Sequence, residues 1–96
     1  MEKENLVLVH SFPTNSILLR GLIEYLNDYF NVYFVDLPGF TRQVPPLDEV
    51  TMEGYADFFE EELRRFDLES YLVGGISVGF LIVNTVDYDD ACRGIV

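Results

Sequence analysis

The chain is short of the residues on which much of protein chemistry depends. Of its 96 residues one is cysteine, Cys92, and one is histidine, His10. A lone cysteine forms no internal disulfide, and with no second Cys or His beside it in sequence it starts no metal-ligand set. Cys92 is therefore expected to serve as a small buried apolar residue, and neither metal nor cofactor is expected. Basic residues are scarce as well. Six Lys and Arg stand against seventeen Asp and Glu, a formal net charge of −11, which opposes approach to phosphate backbones and anionic lipid heads. No apolar run approaches the roughly 18 residues that span a bilayer. The run Leu6–Val9, after the charged segment Met1-Glu2-Lys3-Glu4-Asn5, is too short for a signal-peptide core. The expectation is a cytoplasmic protein with neither nucleic acid nor membrane as partner. Ninety-six residues fit one small domain, 1–96, or part of one. At that size only about two thirds of the unfolded chain's surface is buried, which excludes a complete large enzyme.

What is present is a packed core in alternating elements. Hydrophobic residues make up 49 % and aromatics 15 %. Leu6-Val7-Leu8-Val9 is continuously apolar, as in a strand covered on both faces. After a turn-rich stretch from His10, with Ser16 as a candidate N-cap, Leu18, Leu22, Leu26 and Phe30 recur every four residues and predict an amphipathic helix over 17–30, closed by Asn31. Val32–Val35 reads as a second strand. A proline-rich loop runs from Asp36 to about Val50, where Asp36 is expected to bond its own backbone in a turn. Thr51 caps a second helix whose apolar face is Met52, Tyr55, Ala56, Phe59, Leu63 and Phe66. Nine acids between 48 and 69 then read as its solvated face. Tyr71–Gly74 is a third strand, a third helix reaches about Val86, and Arg93–Val96 begins a fourth strand. Strand and helix alternate throughout, which predicts an α/β fold: three layers, α/β/α, around a mainly parallel sheet of about four strands. Ligands of such sheets bind at the carboxyl ends of the strands.

One pentapeptide carries chemistry. Gly75-Ile76-Ser77-Val78-Gly79 sits where the third strand turns into the third helix, which is the setting of a nucleophile elbow. By chance the pattern G-x-S-x-G turns up about once in 3,000 positions, so its placement between strand and helix carries the weight. The glycines let the chain turn sharply enough to push the hydroxyl clear of the backbone. Ser77 is the candidate nucleophile.

Three motifs in order give a resemblance. His10-Ser11-Phe12-Pro13 resembles the His-Gly-x-Pro loop of the α/β-hydrolases. Asp36-Leu37-Pro38-Gly39-Phe40 resembles their Asp-Leu-Pro-Gly-aromatic turn, and Gly74–Phe80 resembles their elbow. Together they make this chain look like a partial core of that fold, from its serine-nucleophile branch. The resemblance implies acyl-transfer chemistry on an ester, thioester, amide or carbon–carbon bond of a small acyl substrate. Ser77 would attack the carbonyl, the backbone N–H groups of Phe12 and Val78 would form the oxyanion hole, and His10, Gly75 and Gly79 would support the loops. A serine here also argues against the epoxide-hydrolase and haloalkane-dehalogenase branches, whose elbows generally carry aspartate. Ser11 replaces the usual glycine, adding a side chain beside the oxyanion pocket, and Phe80 replaces a small residue, adding bulk between helix and strand.

The family's acid and base follow the serine in the order Asp or Glu, then His. Nineteen residues follow Ser77 and none is histidine. Asp87, Asp89 and Asp90 read as a solvated helix-end turn, and His10 as an anchor of the oxyanion loop. The expectation is a hydrolase fragment, inactive alone. The alternative is a non-catalytic interaction module or one part of a multi-chain assembly, self-associating through exposed sheet edges. A phosphate-binding turn at Gly74–Gly79 is disfavoured, since the segment lacks both the G-x-G-x-x-G spacing and a P-loop lysine.

Overall fold

A computed structural model of the chain describes residues 3–96. The apolar run becomes β1 (Glu4–Val9), an interior strand paired on both sides. With β2 (Phe30–Val35), β3 (Tyr71–Gly75) and β4 (Cys92–Ile95) it forms one sheet in the order β2-β1-β3-β4, every pair parallel. The chain steps from β1 out to the β2 edge and then crosses back to β3 and β4. Right-handed crossovers in opposite directions put helices on both faces, as predicted. Thus α1 (Arg20–Leu26) lies on one face, while α2 (Met52–Phe66) and α3 (Val78–Val83) pack against each other on the opposite one.

Strand alternation divides the interior accordingly. Val7, Val9, Val35 and Val73 point to the α2/α3 face, where they meet Tyr55, Ala56 and Phe59 of α2 and Ile82 and Val83 of α3. Leu6 and Leu8 point to the α1 face and are also buried. Thr51 caps α2 as expected, its hydroxyl accepting the Gly54 N–H at 2.9 Å. Glu53 near the positive end of that helix and Arg64 and Arg65 near its negative end complement the macrodipole. The acids of this segment pair at most with those exposed arginines, Glu60 with Arg64 at 3.6 Å and Glu62 with Arg65 at 2.7 Å. Such surface pairs stabilise little, in keeping with a solvated helix face.

Several boundaries differ from the periodicity. α1 starts at Arg20, not Ile17, because Ser16 does not cap it. Instead Asn15 Oδ1 accepts the Leu18 N–H at 3.0 Å, and residues 16–19 form turns. It ends at Leu26 with Asn27 as cap, and Asn31 lies inside β2, where register with β1 from Glu4↔Phe30 overrides the helical spacing. α3 stops at Val83, where Asn84 Nδ2 and Thr85 Oγ1 turn back to donate to the carbonyls of Phe80 and Leu81. Cys92 is half-buried on the edge strand β4, packed against the core but not enclosed by it. Among the described residues no helix is long and apolar enough to cross a membrane.

Candidate active site

Because β1 and β3 are neighbours with Val9 opposite Gly75, the segments leaving their carboxyl ends must meet. Where they meet, the elbow has no room for side chains at its glycines. A Cβ on Gly75 would lie 2.3 Å from the carbonyl carbon of Gly79 and 2.4 Å from its oxygen and from the Phe80 nitrogen. A Cβ on Gly79 would lie 2.6 Å from the carbonyl oxygens of both Val9 and His10. The Ile76 N–H donates to the Val9 carbonyl at 3.1 Å, and the turn is closed by Gly79 N–H to the Ile76 carbonyl at 2.9 Å and Phe80 N–H to the Ser77 carbonyl at 3.0 Å. Between these fixed points Ser77 takes φ 56° and ψ −114°. Such backbone is rare for a residue with a side chain and costs on the order of 1–3 kcal/mol. Ser77 is exposed and its hydroxyl makes no capping bond to α3.

The loop after β1 is held with comparable rigidity. His10 is fully buried. The Leu37 N–H donates to its Nε2 at 2.9 Å, and Nδ1 lies 2.8 Å from the Ser11 carbonyl. An amide donor on Nε2 and a carbonyl acceptor at Nδ1 assign the neutral, Nδ1-protonated ring. Both nitrogens are committed to the backbone, so His10 has no lone pair for a serine proton. It joins the β1 loop to the Asp36–Phe40 turn, stacked on Phe34 and edge-on to Phe40. The Ser11 carbonyl also accepts from Thr14 N–H at 3.0 Å and Thr14 Oγ1 at 2.6 Å, while Ser11 Oγ lies toward Thr14 Oγ1 at 3.4 Å. The Ser11 side chain is thus absorbed by its own loop. Phe12, joined to Pro13 by a cis peptide, packs on Phe40 and Tyr55. Among the described residues neither Phe12 nor Val78 gives its N–H to another protein group. For Val78 this follows from its place in the first turn of α3.

A second clamp lay beyond sequence reasoning. Asp36 does not bond its own turn. Its carboxylate takes the Ser16 N–H on Oδ1 at 2.7 Å and the Ser16 hydroxyl on Oδ2 at 2.6 Å, and Asn15 Nδ2 donates to the Phe40 carbonyl at 2.8 Å. These partners lie 20 and 25 residues apart, and no local spacing announces them. Phe80 does not crowd helix against strand either, for it is 45 % exposed.

All six candidates, His10, Phe12, Gly75, Ser77, Val78 and Gly79, therefore stand at the carboxyl ends of β1 and β3. A sequence profile described as the alpha/beta hydrolase fold matches residues 4–96. The chain belongs to the alpha/beta hydrolase family. It is 38 % identical over 40 residues to the pimeloyl-[acyl-carrier protein] methyl ester esterase of Wigglesworthia glossinidia brevipalpis, covering 42 % of this chain and 15 % of that one. An esterase from a marine microorganism superposes over 99 % of this chain and 37 % of its own, with TM-score 0.77 and 24 % identity. A hydrolase-fold protein from Burkholderia ambifaria covers 85 % of this chain and 30 % of its own, with TM-score 0.73 and 27 % identity. This alpha/beta hydrolase chain thus spans 15 % of the curated relative and little more than a third of the marine esterase.

Of the acids that follow Ser77 in this hydrolase chain, Asp89 sits at the opposite end of the sheet. It accepts the Ala91 N–H at 3.0 Å and lies beside Tyr71, the first residue of β3. The five residues of that strand put roughly 17 Å between it and the elbow. Burial, followed by the charge of Asp89, pushes the Tyr71 phenol up to about 12. Burial also raises Tyr88, whose hydroxyl donates to the Val83 carbonyl.

Proposed function

We propose that this chain is the nucleophile-bearing portion of a serine hydrolase that works by acyl transfer. Ser77 attacks the carbonyl of an ester, thioester or amide, and the Phe12 and Val78 N–H groups receive the oxygen's developing charge. His10, Gly75 and Gly79 hold the two loops in register. The observation that carries this reading is Ser77 itself, kept exposed at φ 56° by a turn with no space for a side chain at Gly75 or Gly79. Backbone strain of this kind persists only where the surroundings over-determine it, and it gathers at functional sites. An ester is favoured among the substrate classes by the 40-residue likeness to a methyl ester esterase.

What these residues do chemically is limited by the base. The ring of His10 is engaged on both nitrogens, and Asp89 is a strand length away, so nothing among the described residues takes the Ser77 proton. Preorganised oxyanion donors are each worth about 3 kcal/mol to such a reaction. With no base to activate the serine, an enzyme of this type keeps only the acceleration due to its oxyanion hole and binding. The isolated 96-residue chain is therefore expected to react with a fluorophosphonate no faster than Ser77→Ala over minutes. Rapid stoichiometric labelling of Ser77, located by peptide mapping, would overturn the reading of an incomplete triad.

A further inference from the structure

We propose that Thr14 is a positioning residue for the oxyanion hole, setting both the direction and the donor strength of the Phe12 N–H. The inference rests on the assignment of Ser77 as nucleophile and of that N–H as one of its oxyanion donors. The Phe12 N–H and the Ser11 carbonyl belong to one peptide unit. That unit is planar and trans, so its N–H and its C=O point in opposite directions. Whatever holds the carbonyl therefore aims the N–H. Three donors converge on it: His10 Nδ1–H at 2.8 Å, the Thr14 N–H at 3.0 Å and the Thr14 hydroxyl at 2.6 Å. Two of them come from Thr14, across the turn of residues 11–14. The third comes from a fully buried ring whose other nitrogen is held by the Leu37 N–H.

The soft motion left to a peptide plane between two anchored Cα atoms is rotation about the axis that joins them, by paired changes of ψ before it and φ after it. Bonds to the carbonyl oxygen oppose that rotation, and the Phe12 ring, packed on Phe40 and Tyr55, anchors the far side. The same bonds polarise the unit. The one hydroxyl proton of Thr14 goes to the Ser11 carbonyl, so of the two side-chain oxygens 3.4 Å apart Ser11 Oγ is the donor and Thr14 Oγ1 the acceptor. A chain of bonds thus runs from the Ser11 hydroxyl through the Thr14 hydroxyl to the Ser11 carbonyl. In such chains each bond strengthens the next by about 10–30 %. Electron density drawn to the carbonyl oxygen leaves the amide nitrogen more positive and its N–H a stronger donor, preset for charge that develops only in the transition state. Ser11, where the family usually has glycine, is the outer member of this chain.

Imidazole-assisted hydrolysis by the 96-residue chain tests it, with a p-nitrophenyl ester and with the thiono analogue in which sulfur replaces the carbonyl oxygen. Sulfur is the larger atom and the weaker acceptor, so donors preset for oxygen favour the oxygen ester. Thr14→Val keeps the side chain's shape and loses its hydroxyl. It should lower the assisted rate with the oxygen ester about tenfold, short of the roughly 10²–10³-fold lost with a whole donor, and lower the oxygen-to-sulfur rate ratio as well. Thr14→Ser should restore both, and Ser11→Ala should cost at most about twofold. Carbon-13 resonances report the clamp without catalysis. The Ser11 carbonyl carbon of the wild type should lie downfield of a solvated serine's, move upfield in Thr14→Val and stay in place in Thr14→Ser. An unshifted wild-type resonance, which needs no variant, would overturn the proposal. So would a folded Thr14→Val with unchanged rate, or one that slows both esters equally, which would make Thr14 a brace of the loop alone. A wild-type rate no higher than that of Ser77→Ala would overturn the assignment of Ser77, and this inference with it.

Discussion

Gly79→Ala probes the contact on which the site depends, the seating of the elbow on the end of β1. The new Cβ would arrive 2.6 Å from the carbonyl oxygens of Val9 and His10. Both are backbone atoms that no rotamer change can move, and both carbonyls belong to a segment pinned by the sheet on one side and the His10 bonds on the other. Reaching ordinary contact near 3.4 Å requires the elbow to lift by roughly 0.8 Å. That lift breaks the 3.1 Å bond from Ile76 N–H to the Val9 carbonyl. Overpacking of this kind costs about 1–3 kcal/mol and a lost hydrogen bond about 1 kcal/mol more, for a total of roughly 2–4 kcal/mol. With a urea m-value of about 2 kcal/mol/M, the unfolding midpoint should fall by roughly 1–2 M. Gly21→Ala is the internal control. Its Cβ meets nothing within 4 Å, it lies inside α1, and alanine there should stabilise by up to about 1 kcal/mol. Urea unfolding followed by circular dichroism measures both. Midpoints for Gly79→Ala and Gly21→Ala within 0.3 M of each other, on the order of 0.6 kcal/mol at that slope, would refute the close packing of elbow on strand.

The remaining predictions concern the groups around that contact. His10→Ala removes an acceptor from the buried Leu37 N–H and opens a void between Phe34 and Phe40, so it should destabilise by about 3 kcal/mol. Nitrogen-15 chemical shifts of the wild-type ring should report the Nδ1-protonated form at neutral pH, and an Nε2-protonated ring would contradict the bonding described. Tyr71 titrates higher in the folded chain, at about 12, than the ordinary value of 10. The folded state therefore holds its proton where the unfolded state has lost it. This contribution to stability is complete below pH 10 and lost as pH rises from 10 through 12. Tyr71→Phe should flatten the fall in urea midpoint across that window, and an unchanged slope would count against the burial of Tyr71 as its cause.

How legible all this was differs from element to element. The strands and α2 could be read because their signals are local: unbroken apolar runs for β1 and β3, and a capping threonine with a regular apolar stripe for α2. The meeting of the loop that begins at His10 with the elbow followed from strand alternation, since both lie at carboxyl ends. Misreadings came where a distant partner outcompeted a local rule. Ser16 looked like a helix cap until Asp36, 20 residues away, took both its N–H and its hydroxyl. Asp36 looked like a self-bonding turn residue for the same reason. Asn31 looked like a helix stop, but pairing with β1 claimed it for β2. Cys92 is half-buried because it stands on the outermost strand β4, and its expected burial rested on residue type, which does not say how much packs against it. At the elbow, the close approach of Gly75 to Gly79 and Phe80 lies within five residues, whereas that of Gly79 to the Val9 and His10 carbonyls depends on a distant strand.

The central claim is a nucleophile correctly presented and lacking its base, and chemical rescue tests both halves at once. Hydrolysis of a p-nitrophenyl ester by the 96-residue chain should be indistinguishable from that of Ser77→Ala in plain buffer. Added imidazole, a small base able to reach the exposed hydroxyl, should raise the wild-type rate above the Ser77→Ala rate after subtraction of imidazole's own catalysis. Equal rates for the two proteins at every imidazole concentration would contradict Ser77 as nucleophile. A wild-type burst without imidazole would contradict the missing base.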